Sequence, residues 1–155
     1  MPALQFQQPN FHAGTAMQTT SAIAVTGLIA WTLVLLLLME AGRIKLVLAG
    51  TFDVRQFRPD NGNLSPLMQR LTRAHANCIE SFPVIGGLLL TAIATGQTAV
   101  TDPLALIVLG ARLLQSLIHL ASTGVIAVNL RFLAFSVQIA ISIYWSLCLL
   151  RAFMQ

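Results

Sequence analysis

Of the chain's 155 residues 56% are apolar and only 9% are charged, far below the roughly 25% charged residues of a soluble domain. With a mean hydropathy of +0.78, that composition defines an integral membrane protein of single-domain size. The formal charge of +4 does not indicate nucleic acid, because Arg43, Lys45, Arg55, Arg58, Arg70 and Arg73 gather around one loop between hydrophobic spans, the pattern that sets membrane topology.

Residues 1–20 are rich in Gln and Thr and hold no Lys or Arg, which does not fit a signal peptide, so they read as a polar lead-in. Ala22 to Met39 carries no charge and is bounded by Thr19-Thr20-Ser21 and by Glu40, Gly42, Arg43 and Lys45; it forms the first span. Residues 50–66, with Asp53, Arg55, Arg58, Pro59, Asp60, Asn61, Gly62, Asn63 and Pro66, cannot continue an apolar helix and form the one substantial loop. The second span runs from about Leu67 to Thr95, with a bend expected at Pro83 and with Gly86-Gly87 expected to allow close helix packing. A short turn follows, in which Asp102 is expected to cap the third helix and Pro103 to be its first residue. The third span covers 103–122 and the fourth 129–153. The expectation is therefore an all-α, four-helix transmembrane up-down bundle over residues 21–153. A cytoplasmic basic loop would leave both termini lumenal or periplasmic, in a bacterial inner membrane or the endoplasmic reticulum. Cys78 and Cys148 sit in separate spans without metal-type spacing, so neither a disulfide framework nor a metal site is expected.

The polar residues inside the spans are the informative ones. At about 100° per residue Arg70, Arg73, Asn77 and Glu80 share one face of the second helix, which reads as a buried polar stripe. Arg112, Gln115, His119 and Ser122 repeat that spacing in the third, and Arg131, Gln138, Ser142 and Trp145 lie close together on the fourth, with Phe135 beside them. Up-down topology brings Glu80, His119, Arg131 and, at the exit of the first helix, Arg43 into one leaflet. Ionisable groups at membrane depth cost about 2.5–3.5 kcal/mol each, so they pair with one another or bind something. Glu80 neutralising Arg73 or Arg112 is one reading; a net positive site for a zwitterionic ligand with two or more carboxylates is the other.

Arg70-x-x-Arg73-Ala-His75-x-Asn77-x-x-Glu80-x-x-Pro83 resembles the hallmark of the membrane-associated proteins in eicosanoid and glutathione metabolism, the MAPEG family. Ala111-Arg112 and Leu130-Arg131 are similar to its third- and fourth-helix regions, and the resemblance covers about residues 20–153. It implies a homotrimer of four-helix protomers with glutathione, as co-substrate, held between protomers near the cytosolic side. It also implies that Arg73, Asn77 and Glu80 contact glutathione, that Arg43 reaches one of its carboxylates, and that Arg131 is the catalytic residue stabilising its thiolate. Gln115 and His119 stand where relatives have tyrosines or a histidine, and with Gln138 they complete the expected glutathione-binding set. Phe132 and Phe135 replace a serine and a tyrosine of the prostaglandin-synthase branch, so prostaglandin synthesis is not expected. The leading expectation is a membrane glutathione transferase or peroxidase acting on lipophilic electrophiles. A non-catalytic lipid- or glutathione-binding membrane protein is the alternative, and a small transporter ranks last because no paired broken helices or inverted repeat supports it.

Overall fold

The computed structural model describes residues 19–155, so most of the expected lead-in lies outside the described residues. It contains four long helices, α1 (Thr20–Leu48), α2 (Pro66–Ala94), α3 (Thr98–Ala121) and α4 (Val125–Phe153), and one 3₁₀ turn, η1 (Val54–Gln56). All four are long and apolar enough to cross a membrane. At about 1.5 Å per residue, the 29-residue α1 is roughly 43 Å long, more than the ~30 Å hydrocarbon core. Its charged end, Glu40 to Lys45, therefore stays helical beyond the apolar stretch instead of ending it.

Helix ends follow from local chemistry. Ser65 accepts from the Met68 N–H and Pro66 occupies the first turn of α2, where a missing N–H costs nothing. At the other end of α2, Gly96 (φ +69°) takes the left-handed turn that lets Gln97 N–H donate to Ala92 C=O and Gly96 N–H to Ile93 C=O. Gly50 (φ +65°) closes α1 in the same way. α2 runs as one helix through Pro83.

Two expectations about this region are corrected. Helix α3 begins at Thr98, so Pro103 lies inside it, and Asp102 caps α1 instead. Asp102 Oδ1 accepts from the Ser21 N–H at 2.8 Å and the Ser21 hydroxyl at 2.6 Å, while Thr20 Oγ1 donates to the Asp102 carbonyl at 2.7 Å. A carboxylate on a neighbouring helix does for α1 what its own cap alone would do less completely, and it ties the starts of α1 and α3 together. Gly86 also differs from expectation: a side chain there would strike Phe82 of the same helix, and Gly87 faces open space. Close approach between helices occurs at Gly27, against Leu109, and at Gly42, against Met68.

Helices α2 and α3 pack on each other and on both outer helices, whereas α1 and α4 make no comparable contact. The Ser21–Asp102 bonds place the starts of α1 and α3 at one end. Arg70 Nε, donating to Leu120 C=O at 2.9 Å, joins the start of α2 to the finish of α3 at the other. The bundle is thus up-down, and every Lys and Arg except Arg112 and Arg151 lies at the end that carries the long loop. One apolar core (Ala24, Val25, Leu28, Ile85, Leu89, Ala105, Val108, Trp145) fills the opposite half. A second (Leu35, Met39, Leu64, Met68, Leu71, Ala74, Cys78) fills the α1–α2 side of the basic half.

The long loop is pinned rather than loose. Asn61, in a left-handed conformation (φ +51°) and fully buried, accepts from Arg43 Nε and Nη2 at 3.1 and 2.8 Å and donates to Thr72 Oγ1 at 2.6 Å. Phe52 stacks on Phe57, and the Arg43 guanidinium lies over the Phe57 ring at 5.7 Å. Outside the membrane-spanning segments, the Gly62 N–H donated to Asp60 holds that carboxyl below its usual range.

If Asp102 is the external cap of α1, Asp102→Ala should lower stability by about 1–2 kcal/mol, the upper part of the range for loss of an N-cap. Thermal unfolding in detergent measures this, and a change no larger than that of an exposed neighbour such as Thr95→Ala would show that the cap carries no weight.

Candidate functional site

In the basic half, the α2–α3–α4 side has no apolar plug. Where α1 and α2 meet, Leu35, Met39 and Leu71 exclude water; where α3 faces α4, the inward positions of α3 are Arg112, Gln115, Ser116 and His119. A cavity of about 310 Å³ opens there, lined by Asn77 of α2, Gln115 and His119 of α3, and Val128, Arg131, Phe132 and Phe135 of α4. A second cavity of about 180 Å³ shares Asn77 and Phe135 with it and continues to Glu80, Ser81, Val84, Ile85 and Ile139. The two adjoin at Asn77 and Phe135 as a groove, with cationic Arg131 lining the first part and anionic Glu80 the second.

The groove's chemistry differs along its length. Arg131 lines the cationic end, and its Nε is buried without a partner among the described residues. Asn77 Nδ2 donates to the Arg73 carbonyl at 3.1 Å, which fixes the amide and leaves its oxygen as an acceptor. Phe132, Phe135, Val128 and Ile139 make the α4 wall hydrocarbon. Large apolar residues of α4, among them Phe132 and Leu133, stand exposed where lipid would lie.

Of the residues singled out from the sequence, the structure brings Asn77, Gln115, His119 and Arg131 into one cavity and Glu80 into its extension. Gln138 stands one layer deeper, donating to Gln115 Oε1 at 3.1 Å. Arg43 and Arg73 do not join them within one chain. Arg43 lies in a separate cavity of about 350 Å³ with Glu40, Ile44, Val47, Leu48, Val54 and Phe57, paired to Glu40 at 2.9 Å and held by Asn61. Arg73 is exposed.

The buried polar stripe of α2 is a further correction. The inward face of α2 is Met68, Leu71, Ala74 and Cys78, and the stripe lies to the side of it, with Arg70 and Asn77 half-buried and Arg73 and Glu80 exposed. The reading in which Glu80 neutralises Arg73 or Arg112 fails with it: the ion pairs among the described residues are Arg43–Glu40 and Arg58–Asp60. Arg112 is 2% exposed and uses neutral partners, donating from Nη1 to Gln115 Oε1 at 3.0 Å and to the Asn77 carbonyl at 3.4 Å. Its Nε and Nη2 have no partner. Arg112 also lines a cavity of only about 10 Å³ with Cys78 and Ser81. Cys78 is buried with its sulfur 3.6 Å from Ser116 Oγ, and both Cys78 and Cys148 are free thiols. Sequence spacing gave no sign of the role of Asn61, because a loop Asn-Gly reads as a solvent-facing turn until Arg43 and Thr72 are brought to it.

A four-span membrane bundle with a groove lined by Arg131 and Glu80 is the class that this fold and site define. The model of the MAPEG family matches residues 21–151, and the chain belongs to that family. No curated protein and no solved structure matches it. Membership supports a role among membrane glutathione transferases or the related eicosanoid-metabolising proteins.

Proposed function

We propose that this protein is a membrane glutathione transferase, with peroxidase chemistry possible at the same site, that activates the glutathione thiol for attack on lipophilic electrophiles. The observation that carries the reading is the shared cavity of Arg131, Gln115, His119 and Asn77, with Glu80 at the far end of the same groove. A zwitterionic thiol peptide has the complementary polarity: its ammonium group suits Glu80, and its sulfur or a carboxylate suits Arg131. A free thiol has a pKa near 8.5, and a guanidinium beside it favours the thiolate, which is the nucleophile. The hydrocarbon wall of α4 strengthens that attraction by excluding water and offers a lipid-side approach for the second substrate. Conjugation then forms the sulfur–carbon bond and expels the electrophile's leaving group, or adds the thiolate sulfur to one carbon of an activated double bond while the other carbon takes up a proton.

Arg131 is assigned the thiolate and Glu80 the ammonium. Arg131→Leu should abolish most thiolate absorbance near the ultraviolet edge at saturating glutathione while weakening glutathione binding less. Glu80→Gln should weaken binding, by a factor of ten or more, with an unchanged unfolding temperature because Glu80 is exposed and unpaired. As much thiolate in Arg131→Leu as in wild type would remove the role from Arg131. The groove wall also favours one second reading: Phe132 and Phe135 offer no hydroxyl to the sulfur, and if wild type binds glutathione without forming thiolate, the protein is a non-catalytic binder.

The assembly in this reading is a homotrimer in which Arg43 of one protomer reaches the groove of the next. Its support is that α1, which bears Arg43, does not pack on α4, so a chain's own Arg43 and Arg131 stand apart. The detergent-corrected mass should be about three times the 16.7 kDa of one chain, and a fully binding monomer would contradict it.

The same reading puts the basic end in the cytoplasm, following the positive-inside rule. Exposed Val54 is the reporter for it: with Cys78 and Cys148 replaced by Ala, Val54→Cys should resist an impermeant maleimide in intact cells and react after permeabilisation. Labelling in intact cells would invert the topology.

A further inference from the structure

The carboxamide of Gln115 is constrained from two helices at once. Its Oε1 accepts from Arg112 Nη1 at 3.0 Å and from Gln138 Nε2 at 3.1 Å. Arg112 has only donors, so it demands an oxygen. Gln138 demands one too, because its Nε2 also donates to the Ala134 carbonyl at 2.9 Å, and the flipped amide would set oxygen against oxygen. Both acceptor sites of Gln115 Oε1 are thereby filled. Its Nε2 makes no hydrogen bond among the described residues and is not one of the buried unpartnered atoms, so it is the end of the amide that opens on the 310 Å³ cavity lined by Gln115.

From this geometry we infer that Arg112 and Gln138 are positioning residues that lock the Gln115 carboxamide with its N–H groups toward the cavity, making that position select an anionic sulfur over a neutral one. The inference rests on the glutathione reading above and deepens it. A neutral partner for Arg112 matters as much as the direction of the amide. Glutamate at 115 would satisfy the same two donors but would cancel the Arg112 charge and present an oxygen to the ligand. Glutamine satisfies both donors and leaves a positive charge in a low-dielectric layer beside the cavity, where it adds to the field of Arg131.

Gln115→Glu separates the lock from simple structural support, because its carboxylate keeps both acceptor sites and gains an ion pair with Arg112. Its unfolding temperature in detergent should equal or exceed that of wild type, whereas Gln115→Leu, which strands both donors, should unfold at a lower temperature. Binding is then compared by calorimetry for glutathione sulfonate, anionic at the sulfur position, and S-hexylglutathione, neutral there. Gln115→Glu should weaken the sulfonate at least tenfold and the thioether less than threefold, and Gln138→Met, which removes one of the two locking donors, should reduce the preference for the sulfonate. Equal weakening of both peptides overturns the assignment of Gln115 to the sulfur, and a Gln115→Glu protein as unstable as Gln115→Leu overturns the lock. If wild type binds neither peptide the glutathione reading falls, and the two unfolding temperatures still decide the lock: Gln115→Glu at or above wild type supports it, and Gln115→Glu as low as Gln115→Leu overturns it.

Discussion

A guanidinium held inside a membrane bundle without a carboxylate is the constraint around which the basic half of this protein is arranged. Arg112 is placed on the inward face of α3, where a bare charge at membrane depth costs several kcal/mol. Neutral oxygens moderate that cost: the amide of Gln115 and the backbone carbonyl of Asn77. Because Gln115 must turn its oxygen inward, Gln138 can share it, and α3 is stitched to α4 at the layer directly beneath the cavity. The guanidinium is hydrogen-bonded through Nη1 alone and no carboxylate among the described residues neutralises it, so a positive field remains beside the cavity.

Division of labour between the two ends of the bundle follows. The end with few charges is closed by Ala24, Leu28, Leu89, Val108 and Trp145 and by a hydroxyl and carboxylate cluster in which Ser21 Oγ lies 2.7 Å from Thr101 Oγ1 and 2.6 Å from Asp102 Oδ1. The basic end is built differently. Its apolar core sits only between α1 and α2, leaving α3 and α4 to enclose polar groups, and Arg43, Asn61 and Thr72 tie the long loop to the start of α2. Both ends combine an apolar core with directed hydrogen bonds, and they differ in which helices the core joins. At the basic end Arg131 Nε is buried without a hydrogen-bond partner among the described residues.

Membership of the MAPEG family and the groove geometry bear on each other in a specific way. Residues matching the second-helix signature are split by the structure, with Asn77 and Glu80 on the groove and Arg70 engaged with the end of α3. Arg73, on the same stretch, is exposed. A single chain therefore carries part of the polar set on its groove and part on its exposed surface. Phe132 and Phe135 make the α4 wall of the groove aromatic and give it no hydroxyl at those positions.

What the sequence determined by itself was the set of elements. Uncharged stretches about as long as a bilayer is thick leave a backbone no alternative to helix in lipid, so four spans, one long loop and the antiparallel order were legible, and the spacing of Arg112, Gln115 and His119 correctly put them on one inward face. Tertiary structure decided which face of α2 turned inward and which residues became partners. The helical period places Arg70, Arg73, Asn77 and Glu80 on one side, but apolar Met68, Leu71, Ala74 and Cys78 are the residues buried against the neighbouring helices, so the polar side is rotated outward. Asp102 beside Pro103 has the local form of a cap for α3, yet the orphan N–H groups of α1 lie within its reach and its own helix starts a turn earlier. Partnership of this kind depends on distances between helices far apart in the chain, and a pattern local in sequence carries no information about them.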